Sequence, residues 1–271
     1  MKRFILCFLL CLVYTSCQER LRQSLPKEWQ FRSTNISTNP NGTWYAATVP
    51  GTVHLDLIDN HLIEDPYYRD NERKYQWIEL DDWEYRTSFD LDTLLAKKPF
   101  INLTFEGLDT HAEVFLNDQL VLKANNMFRK WTVNVKDLLR EKNNTLHIVF
   151  FSSVKYDNLM NSTQYLPCEN TRPWTRKAQY QYGWDWGPRY VTVGVWLPAY
   201  LEGFESALID DLFIFSQVNK ENKALMTFNI SVWSEVEGNF NIKILNKTEN
   251  QSQVIHKNVM TDRKSTRLNS S

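Results

Sequence analysis

From about residue 18 onward, apolar side chains in this sequence recur at every second position far more often than at every third or fourth. That period belongs to a strand with one face buried, because successive side chains of an extended chain point to opposite faces. Phe100-Ile101-Asn102-Leu103-Thr104-Phe105 alternates in this way, and Ala112-Glu113-Val114-Phe115-Leu116 follows. Asn117-Asp118 then supplies a turn before Gln119-Leu120-Val121-Leu122, which predicts a hairpin. Trp131–Val135, Thr145–Phe151 and Val191–Val195 are further strand candidates, set apart by Asn-rich or Pro-containing breaks. Helical spacing is confined to short pieces: Val53–Leu62, with Leu55, Ile58 and Leu62 on one stripe, and about a turn and a half at Lys136–Glu141. The expected class is all-β, a sandwich with decorating helices.

With 271 residues the chain has room for more than one domain, since domains cluster near roughly 100–150 residues. A boundary is expected near Gly203, separating residues 18–205 from residues 206–261. The second segment carries four alternating runs, Ala207–Phe215, Ala224–Trp233, Phe240–Leu245 and Gln253–Val259. An immunoglobulin-like sandwich needs about seven strands, so this segment reads as a truncated one. Residues 262–271 have no apolar period and read as a non-native tail.

The N-terminus has a different pattern. Lys2 and Arg3 precede the apolar run Phe4–Val13, and Thr15 and Ser16 follow, which is the layout of an export signal over residues 1–17. Tyr14-Thr15-Ser16-Cys17 resembles a bacterial lipoprotein box, in which Cys17 would carry a lipid anchor on a periplasmic or outer-membrane protein. The alternative is ordinary cleavage and release into a lysosomal or secretory lumen, a reading that eight Asn-x-Ser/Thr sequons between Asn35 and Asn250 would fit. Cys7, Cys11 and Cys17 belong to the signal, leaving Cys168 alone, so no disulfide framework is expected within the chain.

Several kinds of chemistry lack a warrant. Thirty-one basic side chains balance 32 acidic ones, so no net field gathers nucleic acid. The five histidines are scattered, there is no metal-ligand spacing, and neither a dinucleotide nor a phosphate loop is present, so no metal or cofactor is expected. Ten tryptophans, by contrast, exceed what a core of this size requires.

Two of them stand in Gln179-Tyr180-Gln181-Tyr182-Gly183-Trp184-Asp185-Trp186-Gly187-Pro188. In a regular strand Asp185 would point away from both indoles. Gly183 and Gly187-Pro188 predict a turn instead, which would let Asp185 reach the same ligand. Indole faces pack on the C–H face of a pyranose while a carboxylate accepts its hydroxyls, so the trio suits a sugar. A Trp pair in the core with Asp185 capping a turn would account for the same letters.

Trp184-Asp185-Trp186-Gly187-Pro188 resembles a segment of the β-mannosidases of glycoside hydrolase family 2. Other stretches resemble that family in the same order: Val49-Pro50-Gly51-Thr52-Val53-His54, Trp83-Glu84-Tyr85-Arg86, Phe105-Glu106-Gly107-Leu108-Asp109-Thr110, Asn126-Met127-Phe128-Arg129-Lys130-Trp131 and Gly194-Val195-Trp196-Leu197-Pro198. The resemblance implies a jelly-roll (galactose-binding-like) β-sandwich followed by an immunoglobulin-like one. It implies hydrolysis of terminal β-mannosides with retention, by two glutamates about 5–5.5 Å apart on a TIM barrel that this sequence has no room for. No catalytic residue is therefore assigned here. Asp185 would hold sugar hydroxyls between Trp184 and Trp186, with Arg176 and Gln179 supporting the loop. Gly51 and Gly107 are read as turn residues, and Trp83, Phe105, Phe115 and Trp131 as core. The rivals are a stand-alone carbohydrate-binding module and a family 2 glycosidase for another sugar.

Overall fold

The computed structural model describes residues 21–164, 171–221, 223–234, 236, 238–248, 251–261 and 266–270. The export segment with Cys17, and Cys168, lie outside the described residues.

Ten strands build the first unit: β1 (Leu21–Ser24), β2 (Glu28–Ser33), β3 (Tyr45–Thr48), β4 (Trp83–Phe89), β5 (Phe100–Phe105), β6 (His111–Leu116), β7 (Gln119–Asn125), β8 (Trp131–Asn134), β9 (Asn144–Phe151) and β10 (Ala199–Phe204). They form a six-stranded sheet, β3-β2-β4-β9-β6-β7, and a four-stranded sheet, β1-β10-β5-β8, with antiparallel pairing throughout. The alternation seen in the sequence decides what lies between them. Ala112, Val114 and Leu116 of β6 and Leu146, Ile148 and Phe150 of β9 meet Ile101, Leu103 and Phe105 of β5 and Leu201 of β10 in one buried cluster. At about 25 cal/mol per Å² of apolar surface removed from water, such a cluster is the main stabilising element of the sandwich.

The predicted hairpin is present as β6–β7, and its turn residues Asn117 and Asp118 both have positive φ, 50° and 68°. That conformation suits a two-residue hairpin turn, whose twist matches that of the strands. The first predicted helix also forms, as α1 (Val53–Asp59), but it buries a different stripe: Val53, His54, Asp56 and Leu57 face inward while Leu55 is exposed. Two further helices, α2 (Asn71–Lys74) and α3 (Ser153–Thr163), decorate the sandwich. Trp83 and Phe105 are core as expected, and Trp131 packs against the core. Phe115 instead lies on the outer face of its sheet, stacked on His147.

Val191–Val195 forms no ladder strand. It runs extended between two segments and divides its hydrogen bonds: Val193 O and Val195 O accept from Val53 N and Gly51 N, while Gly194 exchanges both backbone bonds with Asp109. A chain shared in this way has no single partner to pair with.

Beyond Phe204 come β11 (Ala207–Val218), β12 (Ala224–Ser234), β13 (Gly238–Thr248), β14 (Gln251–Thr261) and β15 (Thr266–Ser270). They form a three-stranded sheet, β11-β12-β15, and a two-stranded one, β13-β14, around a small cluster of Ile230, Val232 and Ile242. Strand β15 falls in a segment whose sequence has no apolar period; its pairing with β12 uses the backbone, which requires none.

Candidate functional site

The segment from Thr171 to Val195 is the longest irregular stretch of the first unit, and it crosses one end of the sandwich between α3 and β10. At its centre, Trp184 N–H donates to Gly187 O at 3.1 Å and Gly187 N–H to Trp184 O at 3.3 Å. These two bonds close a four-residue turn with Asp185 and Trp186 at its tip. Gly183 enters the turn at φ 90°, ψ 152°, a region that side-chain-bearing residues avoid. The turn predicted from the glycines is therefore present.

Within it the indoles of Trp184 and Trp186 are stacked, ring centroids 6.3 Å apart and planes 12° from parallel. Trp186 is 87% exposed and Trp184 51%. Asp185 is exposed as well, and its carboxylate has no hydrogen-bond or ion-pair partner among the described residues. Neither a core Trp pair nor a capping aspartate fits this arrangement. Trp184 also lines a hollow of about 360 Å³ with Tyr67, Tyr180, Tyr190, Trp196 and, at its floor, Asp109.

Arg176 and Gln179 do not brace the turn. The Arg176 side chain is exposed, and its carbonyl accepts from Met127 N at 3.0 Å. The Gln179 amide bonds to Arg172 O and Lys177 O, inside its own segment. The bracing comes from Arg189, whose guanidinium makes a bidentate pair with Glu79 at 2.8 and 2.9 Å and donates to Tyr182 O at 3.3 Å. The Arg172 guanidinium lies 5.7 Å from the Trp184 ring centroid.

Beneath the turn is a polar network that sequence reasoning missed. Lys177, fully buried, pairs with Asp109 and donates to Thr192 O at 2.6 Å. Gln181 donates to the other Asp109 oxygen at 3.0 Å and accepts from Thr192 N at 3.1 Å. Behind it Asp157 accepts from Thr175 and from Tyr182 OH. Burial pushes the Lys177 ammonium down from the usual lysine range, and the Asp109 carboxylate opposes that shift. Desolvation, reinforced by the Lys177 charge, holds both His54 and His111 at about 4, so both are neutral near pH 7. Among the described residues no group of three or more His, Cys, Asp or Glu could hold a metal ion.

The two-sheet sandwich thus carries an aromatic, carboxylate-tipped turn over a buried polar network. Residues 29–197 match the family model described as glycosyl hydrolase 2 galactose-binding domain-like, and the chain belongs to that family. Within it, the curated proteins it resembles include the β-mannosidase of Bos taurus, 33% identical over 226 residues, which are 79% of this chain and 25% of that protein. The probable β-mannosidase of Caenorhabditis elegans is 36% identical over 64% of this chain and 20% of its own length. The crystal structure of the β-D-mannosidase of Dictyoglomus thermophilum superposes with a TM-score of 0.76 at 32% identity, covering 93% of this chain and 31% of that one. An exo-chitosanase of Amycolatopsis orientalis, TM-score 0.64 at 15% identity, covering 92% of this chain and 28% of that one, shares the fold. The chain thus spans a third or less of the length of these relatives.

Proposed function

We propose that this chain is the N-terminal sugar-binding portion of an exported β-mannosidase, an enzyme that removes terminal β-D-mannose from glycans with retention. In this reading Asp185 accepts hydroxyl hydrogen bonds from the mannose, and Trp184 and Trp186 form walls of the same subsite. The observation that carries it is the unpaired, exposed Asp185 carboxylate, at the tip of a turn that closes itself and whose two indoles are stacked. A carboxylate without a partner has no structural work at that position, whereas charge-assisted bonds to a ligand would give it some.

The similarity to curated β-mannosidases supports mannose as the sugar. The two carboxylates that break the bond would belong to a part of a longer protein outside this sequence, and residues 206–261 to an immunoglobulin-like domain between the two. Export follows from the signal at residues 1–17, with anchoring through Cys17 and release as its two outcomes.

The test compares full-length protein with the 271-residue chain on aryl β-mannoside, β-galactoside and β-glucuronide. Full-length protein is expected to turn over the mannoside selectively, and the chain alone none of the three. Preference for another sugar would overturn the substrate assignment, and turnover by the chain alone would overturn the placing of the chemistry elsewhere.

A further inference from the structure

The four-stranded sheet turns one face to the core and the other outward, and the outward face is polar in an ordered way. Register places Arg22, Glu202, Asn102 and Asn134 in one row across β1, β10, β5 and β8, and Ser24, Tyr200, Thr104 and Thr132 in the next. A sheet face that only had to meet water would expose these side chains. Instead Asn102, Thr104 and Glu202 are 3%, 2% and 4% exposed. They form the floor of a cleft of about 1010 Å³, whose far wall is supplied by Leu208–Asp211 and Trp233 of β11 and β12. Lys130 closes one end by donating to Asp210 O at 3.3 Å.

Most charges in the cleft are already paired, and Arg129 and Asp211 add one of each sign at its exposed edge. Arg22 pairs with Glu202 at 2.6 Å and lies over the Tyr200 ring, and Tyr200 OH donates to Glu106 at 2.5 Å. An ion entering between the two rows would have to break one of these pairs. A neutral ligand would not, and could use the hydroxyls of Thr104 and Thr132. One buried group has no partner at all: Asn102 Oδ1 makes no hydrogen bond. A buried acceptor left unpaired is destabilising, and a donor from a ligand would satisfy it. The volume is at the upper end of the range of ligand pockets, about 300–1,000 Å³.

We propose that this cleft is a second carbohydrate site, one that takes a neutral oligosaccharide and is separate from the turn at Trp184–Gly187. It requires a ligand rich in hydroxyls that both donate and accept, without net charge, and long enough to lie along the two rows. The site stands on its own geometry; only the choice of β-mannan as first probe rests on the function proposed above.

The experiment is affinity electrophoresis of the full-length protein through gels containing soluble β-mannan, with β-glucan, xylan and galactan as companions. Retardation by at least one neutral polysaccharide is expected. Arg22→Ala and Glu202→Gln should weaken that retention about tenfold or more and leave kcat/KM on a short aryl glycoside unchanged. Asp185→Ala, which acts at the other site, should be retained like the wild type. Thr132→Val, an exposed change on β8 that cannot disturb the core, guards against misfolding and should also weaken retention. Absence of retention in every gel, or retention of the cleft variants equal to the wild type, overturns the proposal. If the aryl β-mannoside is not hydrolysed while retention persists, the mannosidase reading fails and the cleft stands.

Discussion

Lys177 and Asp109 form an ion pair that water does not reach, their side chains being 0% and 1% exposed. The pair sits under the Trp184–Gly187 turn and shares Asp109 with Gln181. Removing one member of such a pair leaves a buried charge without compensation, at about 3–5 kcal/mol. Lys177→Met is therefore expected to lower stability by that amount in urea unfolding. Adding Asp109→Asn should restore part of it, since the orphaned charge is then gone. A double variant less stable than Lys177→Met would contradict this account.

Asp185→Ala separates ligand binding from folding. Because the carboxylate has no partner among the described residues, its loss should change stability by less than about 0.5 kcal/mol. If it accepts two hydroxyl hydrogen bonds worth about 1.5–3 kcal/mol each, kcat/KM of the full-length enzyme should fall by two to four orders of magnitude. The informative comparison is melting temperature against kcat/KM, and a fall in melting temperature with kcat/KM intact would remove Asp185 from the sugar site.

Gly183 tests whether the turn must be held as it is. At φ 90° an alanine is strained by roughly 1–3 kcal/mol, although its Cβ would approach nothing closer than Arg189 Cβ at 3.4 Å. Gly42, at φ 61°, lies far from the turn and makes a comparable control. Both alanine variants should melt lower than the wild type, and only Gly183→Ala should also lower kcat/KM.

Acid stability depends on two histidines, His54, which is buried, and His111, which is half-buried. Each is held near 4 in the folded chain against 6.5 in the unfolded one, chiefly by burial. The unfolded chain takes up these protons first, so their stabilisation is complete above pH 6.5 and is lost as pH falls through 4. Asp56 acts in the opposite sense: burial raises it from 3.8 to about 6, so its contribution is full below 3.8 and lost as pH rises through 6. Asp157, which burial also raises, acts in the same sense as Asp56, so two histidines are opposed by two aspartates and the wild-type slope is the difference between them. Removing one histidine removes at most about 1.4 kcal/mol per pH unit of acid sensitivity. Between pH 6.5 and 4, His54→Gln should therefore lose less melting temperature than the wild type does.

What could be read from the sequence was whatever local geometry decides. Asn117-Asp118 announces its hairpin because positive φ is tolerated by few residues, and Gly183 announces its turn for the same reason. Helix α1 was legible as a helix, but its inward stripe was not. Leu55, Ile58 and Leu62 have the right spacing, yet only Ile58 packs against the core, beside Val53 and Leu57, a choice made by neighbours that the local sequence does not contain. Lys177 was hidden for a related reason. In Arg172-Pro173-Trp174-Thr175-Arg176-Lys177 it looks like one more surface cation, and the aspartate that draws it inside lies 68 residues away.

The turn at Trp184–Gly187 has one more property. Its closing bonds, its Arg189 brace and the Glu79 that receives it all come from residues before β10, so nothing synthesised later is needed to complete it. Domains fold in order as a chain leaves the ribosome. In a protein several times longer than this sequence, the Trp184–Gly187 turn would then be finished first, and whatever follows would mature against a shape already set.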